Sequence, residues 1–176
     1  MIKEYEEWLE NHQEDCLRII NVHNETISDG LGLRLSIYVS GCIHECNGCH
    51  NKQSWDYNSG NILTGNLLEE IINKYQSNPL LDGITLSGGD PFYKDEALTF
   101  LLYLLKKHLN CNIWAYTGYT YEQISESKAL DYIDILVEGR FNKELYHPDL
   151  VFKGSSNQRI IDINNTRLNN TLKIIG

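Results

Sequence analysis

At 176 residues the chain can hold one domain with a sizeable core, but not a complete eight-stranded β/α barrel, which takes about 250 residues. Lys and Arg number 15 against 24 Asp and Glu, a net charge of −9 with no basic run, which disfavours a nucleic-acid partner. No apolar run approaches a membrane span, the amino terminus is acidic and amphipathic unlike a signal peptide, and the 5 cysteines are odd in number and concentrated in one motif, so the chain reads as cytoplasmic, without a membrane contact or a disulfide framework.

Residues 1 to 17 read as a short helical extension with Tyr5, Trp8 and Leu9 on one side. The segment Leu33 to Val39 alternates and is rich in β-formers, which predicts a strand running into the loop Ser40 to Trp55, SGCIHECNGCHNKQSW. Cys42, Cys46 and Cys49 lie in that loop. Three thiolates this close can bind a metal centre, yet they leave a four-ligand site one ligand short. Two readings follow: a cubane iron-sulfur cluster whose fourth iron is open to a substrate, or a structural zinc completed by His44 or His50. The absence of a second pair of Cys or His counts against zinc. Gly41 and Gly48 suit a loop that wraps closely round a bulky core.

Further along, Thr64 or Asn66 can cap a helix carrying Leu67, Leu68, Ile71, Ile72 and Tyr75 on one face, closed by Pro79. A short strand, Ile84 to Leu86, ends in Ser87-Gly88-Gly89-Asp90-Pro91. A helix from about Lys94 to Leu109 places Leu98, Leu101, Leu102, Leu105 and Leu109 at core spacing. A third strand, Asn112 to Tyr116, leads into Thr117-Gly118-Tyr119, then a short helix near Tyr121 to Ser127 and a fourth strand, Ile133 to Val137. After Pro148 the pattern weakens, with short strands expected at Leu150 to Phe152, Arg159 to Ile163 and Thr171 to Ile175. Strand and helix in alternation predict an α/β fold: a partial, open (β/α) barrel of parallel strands, with the cysteine loop after the first core strand. Residues 1–176 then form a single domain, with about 148–176 as an irregular cap. In such folds ligands bind beyond the carboxyl ends of the strands.

Gly88-Gly89-Asp90-Pro91 at a strand end offers bare backbone that can meet a zwitterionic amino-acid head, and Asp90 adds an acceptor for an ammonium group. Taken alone the turn is an ordinary β-to-α connection; one strand after a three-cysteine loop it becomes specific.

Together these residues resemble the radical S-adenosylmethionine enzymes and, within them, the small activases of glycyl-radical enzymes. More narrowly, SGCIHECNGCHNKQSWDYNSG, LSGGDP, YTGYT, LVEGRF and KGSSNQRIIDI are similar to the activases of anaerobic ribonucleoside-triphosphate reductase, over about Leu17 to Ile163. The resemblance implies a 4Fe-4S cluster on Cys42, Cys46 and Cys49, with S-adenosyl-L-methionine contacted by Gly48, Cys49, His50, Gly88, Gly89 and Asp90. It also implies a radical oxidoreductase that needs no acid or base residue, a low-potential electron donor such as flavodoxin or ferredoxin, and the glycine-bearing loop of the reductase as partner. Gly48 departs from the superfamily, where an aromatic residue commonly precedes the third cysteine and touches adenine; Tyr116 and Tyr119 are candidates to supply that ring. His44 and His50 are expected beside the site rather than in the chemistry, His50 being better placed to touch the nucleotide. CHNKQSWD also resembles activases of formate-lyase-type enzymes, which keeps that partner as an alternative beside a zinc module. Lys153 to Arg159, with Asn157 and Arg159, is the expected docking surface for the partner.

Overall fold

The computed structural model describes residues 1–176. Its strands are β1 (Arg18–Thr26), β2 (Arg34–Val39), β3 (Asn61–Ile62), β4 (Gly83–Gly88), β5 (Asn112–Thr117), β6 (Ile135–Glu138) and β7 (Arg159–Asp162). They form one open sheet in the order β3-β1-β2-β4-β5-β6-β7. The middle four, β2, β4, β5 and β6, run parallel, while β1 is antiparallel to β2 and β3, and β7 to β6.

Alternation along each strand fixes two faces. Register aligns Ile37 with Leu86, Leu86 with Ala115, Ala115 with Leu136 and Leu136 with Ile161, so one apolar row crosses five strands, every member fully buried. Helices α2 (Gly65–Ser77) and α3 (Asp95–His108) cover this row with Leu68, Ile71, Ile72, Leu98, Leu101, Leu102 and Leu105, the residues that recur at helical spacing. Thr64 caps α2, accepting from the Leu67 amide at 3.2 Å.

The opposite face carries a buried arginine. Arg34 donates to Thr85 Oγ1 (2.6 Å) and to the carbonyls of Ile84 (2.7 Å), Leu31 (3.1 Å) and Asn112 (3.1 Å), with its guanidinium 5.4 Å from the Trp114 ring centre. Burial pulls its pKa down to about 10.

Several elements differ from the sequence reading. The amino-terminal stretch is built into the core: Tyr5 on helix α1 (Lys3–Asn11) is fully buried, and Glu6 accepts from the Gly65 amide at 2.8 Å. Strand β1 was not anticipated, because Ile19 is its one buried residue and its polar outer side hides the strand period. In place of a helix over Tyr121 to Ser127 there are two 3-10 turns, Tyr121–Gln123 and Lys128–Asp131. The cap is more ordered than expected in part: β7 pairs with β6, and helix α4 (Ile163–Asn169) follows, capped by Asp162 accepting from the Asn165 amide (2.8 Å). Leu150 to Phe152 is not a strand, and Thr171 to Ile175 contributes one bridge, Ile174 to Ile161. No helix is long and apolar enough to cross a membrane.

Candidate functional site

The loop that leaves β2 turns back on itself. The Gly41 amide donates to Ser54 O (2.8 Å), the Cys42 amide to Trp55 O (3.3 Å) and the Cys49 amide to Cys46 O (3.0 Å). Gly41 holds φ at +93°, and a Cβ there would lie 2.7 Å from the rings of Tyr57 and Tyr93, so the closure needs glycine. All three loop cysteines are free and partly buried. The Asn51 amide donates to Cys49 Sγ (3.3 Å), and the backbone N–H groups of His44 and Glu45 near Cys42 and of Phe141 near Cys46 favour those thiolates. Burial pushes the Cys42 and Cys46 thiols up; the amides, and Arg140 beside Cys46, pull the other way. The fold thus brings the thiols to one loop, although no three His, Cys, Asp or Glu side chains are gathered closely enough to hold a metal ion.

Asp90 lies at the junction of three strand-end loops. It is fully buried, and its carboxylate accepts from Thr117 Oγ1 (2.9 and 3.0 Å), the Gly118 amide (2.9 Å), the Phe92 amide (3.0 Å) and His44 Nε2 (2.7 Å). The carboxylate expected to accept from an ammonium group is thus engaged by protein partners at both oxygens. Gly88 and Gly89 also face protein. The Gly89 and Asp90 amides donate to Val39 O and Gly41 O, both at 2.8 Å, and a Cβ on Gly89 would sit 2.4 Å from Gly41 O. The missing side chain at Gly89 lets the cysteine loop approach.

A cleft of about 530 Å³ opens at the carboxyl ends of β2, β4 and β5, where Tyr38, Ser87 and Tyr116 line it, and Cys49, His50 and Asn51 form the wall on the cysteine-loop side. Of the expected contacts, Cys49 and His50 line this cleft, whereas Gly48, Gly88, Gly89 and Asp90 are not among its lining residues. Gly48, with φ +78°, packs against the Lys143 stem, 3.0 Å from where a Cβ would lie. Tyr116 lines the cleft and donates to Phe152 O (2.9 Å), whereas Tyr119 packs edge-on against His44, ring centres 4.6 Å apart. Asp29, which accepts from Tyr38 (2.8 Å), and the rings of Phe141 and Tyr146 near His50 also line the cleft and were not singled out from the sequence. Their sequence signals are an acidic turn, the LVEGRF stretch that Phe141 ends, and one aromatic in a polar stretch.

The expected docking segment is used internally. Gln158 Oε1 accepts from the Gly154 (2.8 Å) and Ser155 (3.1 Å) amides, Asn157 donates to Arg140 O (2.8 Å), and Arg159 pairs with the buried Glu138 and with Glu122 (2.8 Å).

Comparison with known proteins bears on this arrangement directly. Residues 28–161, which include the cysteine loop and all the residues lining the cleft, match the model of the 4Fe-4S single cluster domain. The anaerobic ribonucleoside-triphosphate reductase-activating protein of Escherichia coli K12 is 38% identical over 138 residues, 75% of this chain and 90% of that one. The chain belongs to this family of activating proteins. The phage T4 protein of the same name is 33% identical over 135 residues, 75% of this chain and 85% of its own. Among solved structures, QueE from Escherichia coli aligns with a TM-score of 0.45 and 18% identity, over 65% of this chain and 57% of that one, too slight a likeness to argue from.

The residues present fit the cofactor of the matched domain. Three thiols on one loop, with the Asn51 amide bonded to Cys49 Sγ, are the kind of soft donor set that an iron-sulfur cluster takes, although their sulfurs are not drawn together round one point in this arrangement. No second cysteine pair stands nearby to close a structural zinc site.

Proposed function

We propose that this chain is a radical S-adenosylmethionine enzyme that places a glycyl radical on anaerobic ribonucleoside-triphosphate reductase. One observation carries the reading: the third cysteine of a three-thiol loop forms the wall of a cleft of about 530 Å³ in a chain of this family. Such a cluster, when bound, would supply the one electron for reductive cleavage of S-adenosylmethionine to methionine, the 5′-deoxyadenosyl group leaving as 5′-deoxyadenosine with the hydrogen atom of a glycine α-carbon. Cys42, Cys46 and Cys49 would hold the cluster. His50, Tyr116, Phe141 and Tyr146 would give the nucleoside an aromatic wall, and Asp29 and Tyr38 polar partners at the cleft floor. Nothing in this scheme needs a general acid or base, which suits a cleft where polar groups are already paired, Tyr38 to Asp29 and Tyr116 to the backbone. The donor is proposed to be a low-potential flavodoxin or ferredoxin.

The test uses anaerobically reconstituted protein, a chemical reductant and S-adenosylmethionine. Methionine and 5′-deoxyadenosine should form in equal amounts. A fully iron-loaded protein that forms neither, under conditions where the cluster is reduced, would refute the proposal.

A further inference from the structure

Beside the backbone bonds from the Gly89 and Asp90 amides, the ring of His44 makes a side-chain hydrogen bond between the cysteine loop and the strand-end loop carrying Asp90. Its neighbours Ile43 and Glu45 point to solvent, while its own side chain is 3% exposed and Asp90 is wholly buried. Nε2 donates to Asp90 Oδ2 at 2.7 Å, Tyr119 packs edge-on against the ring, and a Cβ on Gly118 would fall 2.3 Å from His44 Cδ2. Three loops, from β2, β4 and β5, therefore close round one imidazole.

We infer that His44 is a positioning residue: the bond from Nε2 to Asp90 is a strut that sets the cluster loop against the Gly88–Asp90 loop, so that the site for S-adenosylmethionine is formed only when the strut is made. The inference rests on the proposed function. It is independent of the ring's other nitrogen, Nδ1, which is buried without a hydrogen-bond partner. The alternative is that Nδ1, not the strut, meets a ligand, and the two are separable by chemistry. Glutamine reaches as far as Nε2 and keeps an N–H for Asp90; asparagine places its amide near Nδ1 and stops short of Asp90.

Reconstituted His44→Gln and His44→Asn proteins should be compared with the unaltered chain for iron content, for S-adenosylmethionine affinity by equilibrium dialysis, and for the change the cosubstrate makes in the paramagnetic resonance spectrum of the reduced cluster. The strut predicts that His44→Gln binds within about twofold of the original, while His44→Asn loses about tenfold in affinity and most of the spectral change, the loss expected for one buried charge-assisted hydrogen bond. Loss of iron confined to His44→Asn supports the strut as well. Normal affinity in His44→Asn, equal weakening of both variants, or iron loss in both overturns it. If the unaltered protein itself holds iron but binds no S-adenosylmethionine, the proposed function fails instead.

Discussion

At the scale of single residues, five cysteines divide by what surrounds them. Cys42, Cys46 and Cys49 share one loop, partly buried, whereas Cys111 is buried in the core and Cys16 stands apart. Replacing any of the first three by Ser should remove most of the iron from reconstituted protein, and Cys16→Ser or Cys111→Ser should leave it, as iron analysis of the five variants will show. Gly89 gives a sharper outcome. A Cβ there meets Gly41 O at 2.4 Å and Ser54 O at 2.9 Å, both backbone, so Gly89→Ala should lower iron content together with S-adenosylmethionine binding; iron at the unaltered level would place the glycine's role elsewhere. The sequence pointed to this glycine for a different reason. Spacing reveals that a backbone must come close to something, but only the folded neighbours show that the something is Gly41. The same holds for Asp90, whose carboxyl is legible as important and whose four partners come from residues as far apart as His44 and Gly118.

Among the elements, those that bury a full stripe were readable and those half in solvent were not. Helix α3 repeats leucine at every turn and lies within one residue of the expected bounds, and the strands β2, β4 and β5 follow the same rule. Strand β1 buries little, and α4 is short and announced by Asp162 alone, so periodicity had nothing to detect. Two element-level interactions are testable, one by stability and one by activity. Arg34 serves three carbonyls and a hydroxyl across β2, β4 and β5; Arg34→Met keeps the volume but orphans those acceptors and should cost about 2–4 kcal/mol, read from urea unfolding of the cluster-free chain. A change below about 0.5 kcal/mol would mean that the network is idle. Asn157 holds Arg140 O, one residue before the cleft-lining Phe141, and Arg159 pairs with Glu138 at the end of β6. Their joint replacement by Ala should lower cosubstrate cleavage and radical transfer in parallel, because the cleft wall itself loosens; selective loss of radical transfer would restore a docking role to this segment.

For the molecule as a whole, one face of the sheet is an apolar core under helices and the carboxyl strand ends are given to the site. The core also sets an alkaline limit. Burial pushes the Cys111 thiol from 9.0 up to about 11 and the Tyr93 phenol from 10.0 up to about 12. The unfolded chain releases these protons first, so their contribution to stability is intact below about pH 9 and drains away as the pH rises through about 11 to 12. Unfolding midpoints should fall over that window, and by less in Cys111→Ala relative to its own neutral value. The central claim concerns what leaves the cleft. When the reconstituted protein, a reductant and S-adenosylmethionine are mixed with anaerobic ribonucleoside-triphosphate reductase, paramagnetic resonance should report a glycyl radical on the reductase, absent when Cys46→Ser replaces the activase. Cosubstrate cleavage without any radical on the reductase, or a radical on a formate-lyase-type enzyme instead, would contradict the account.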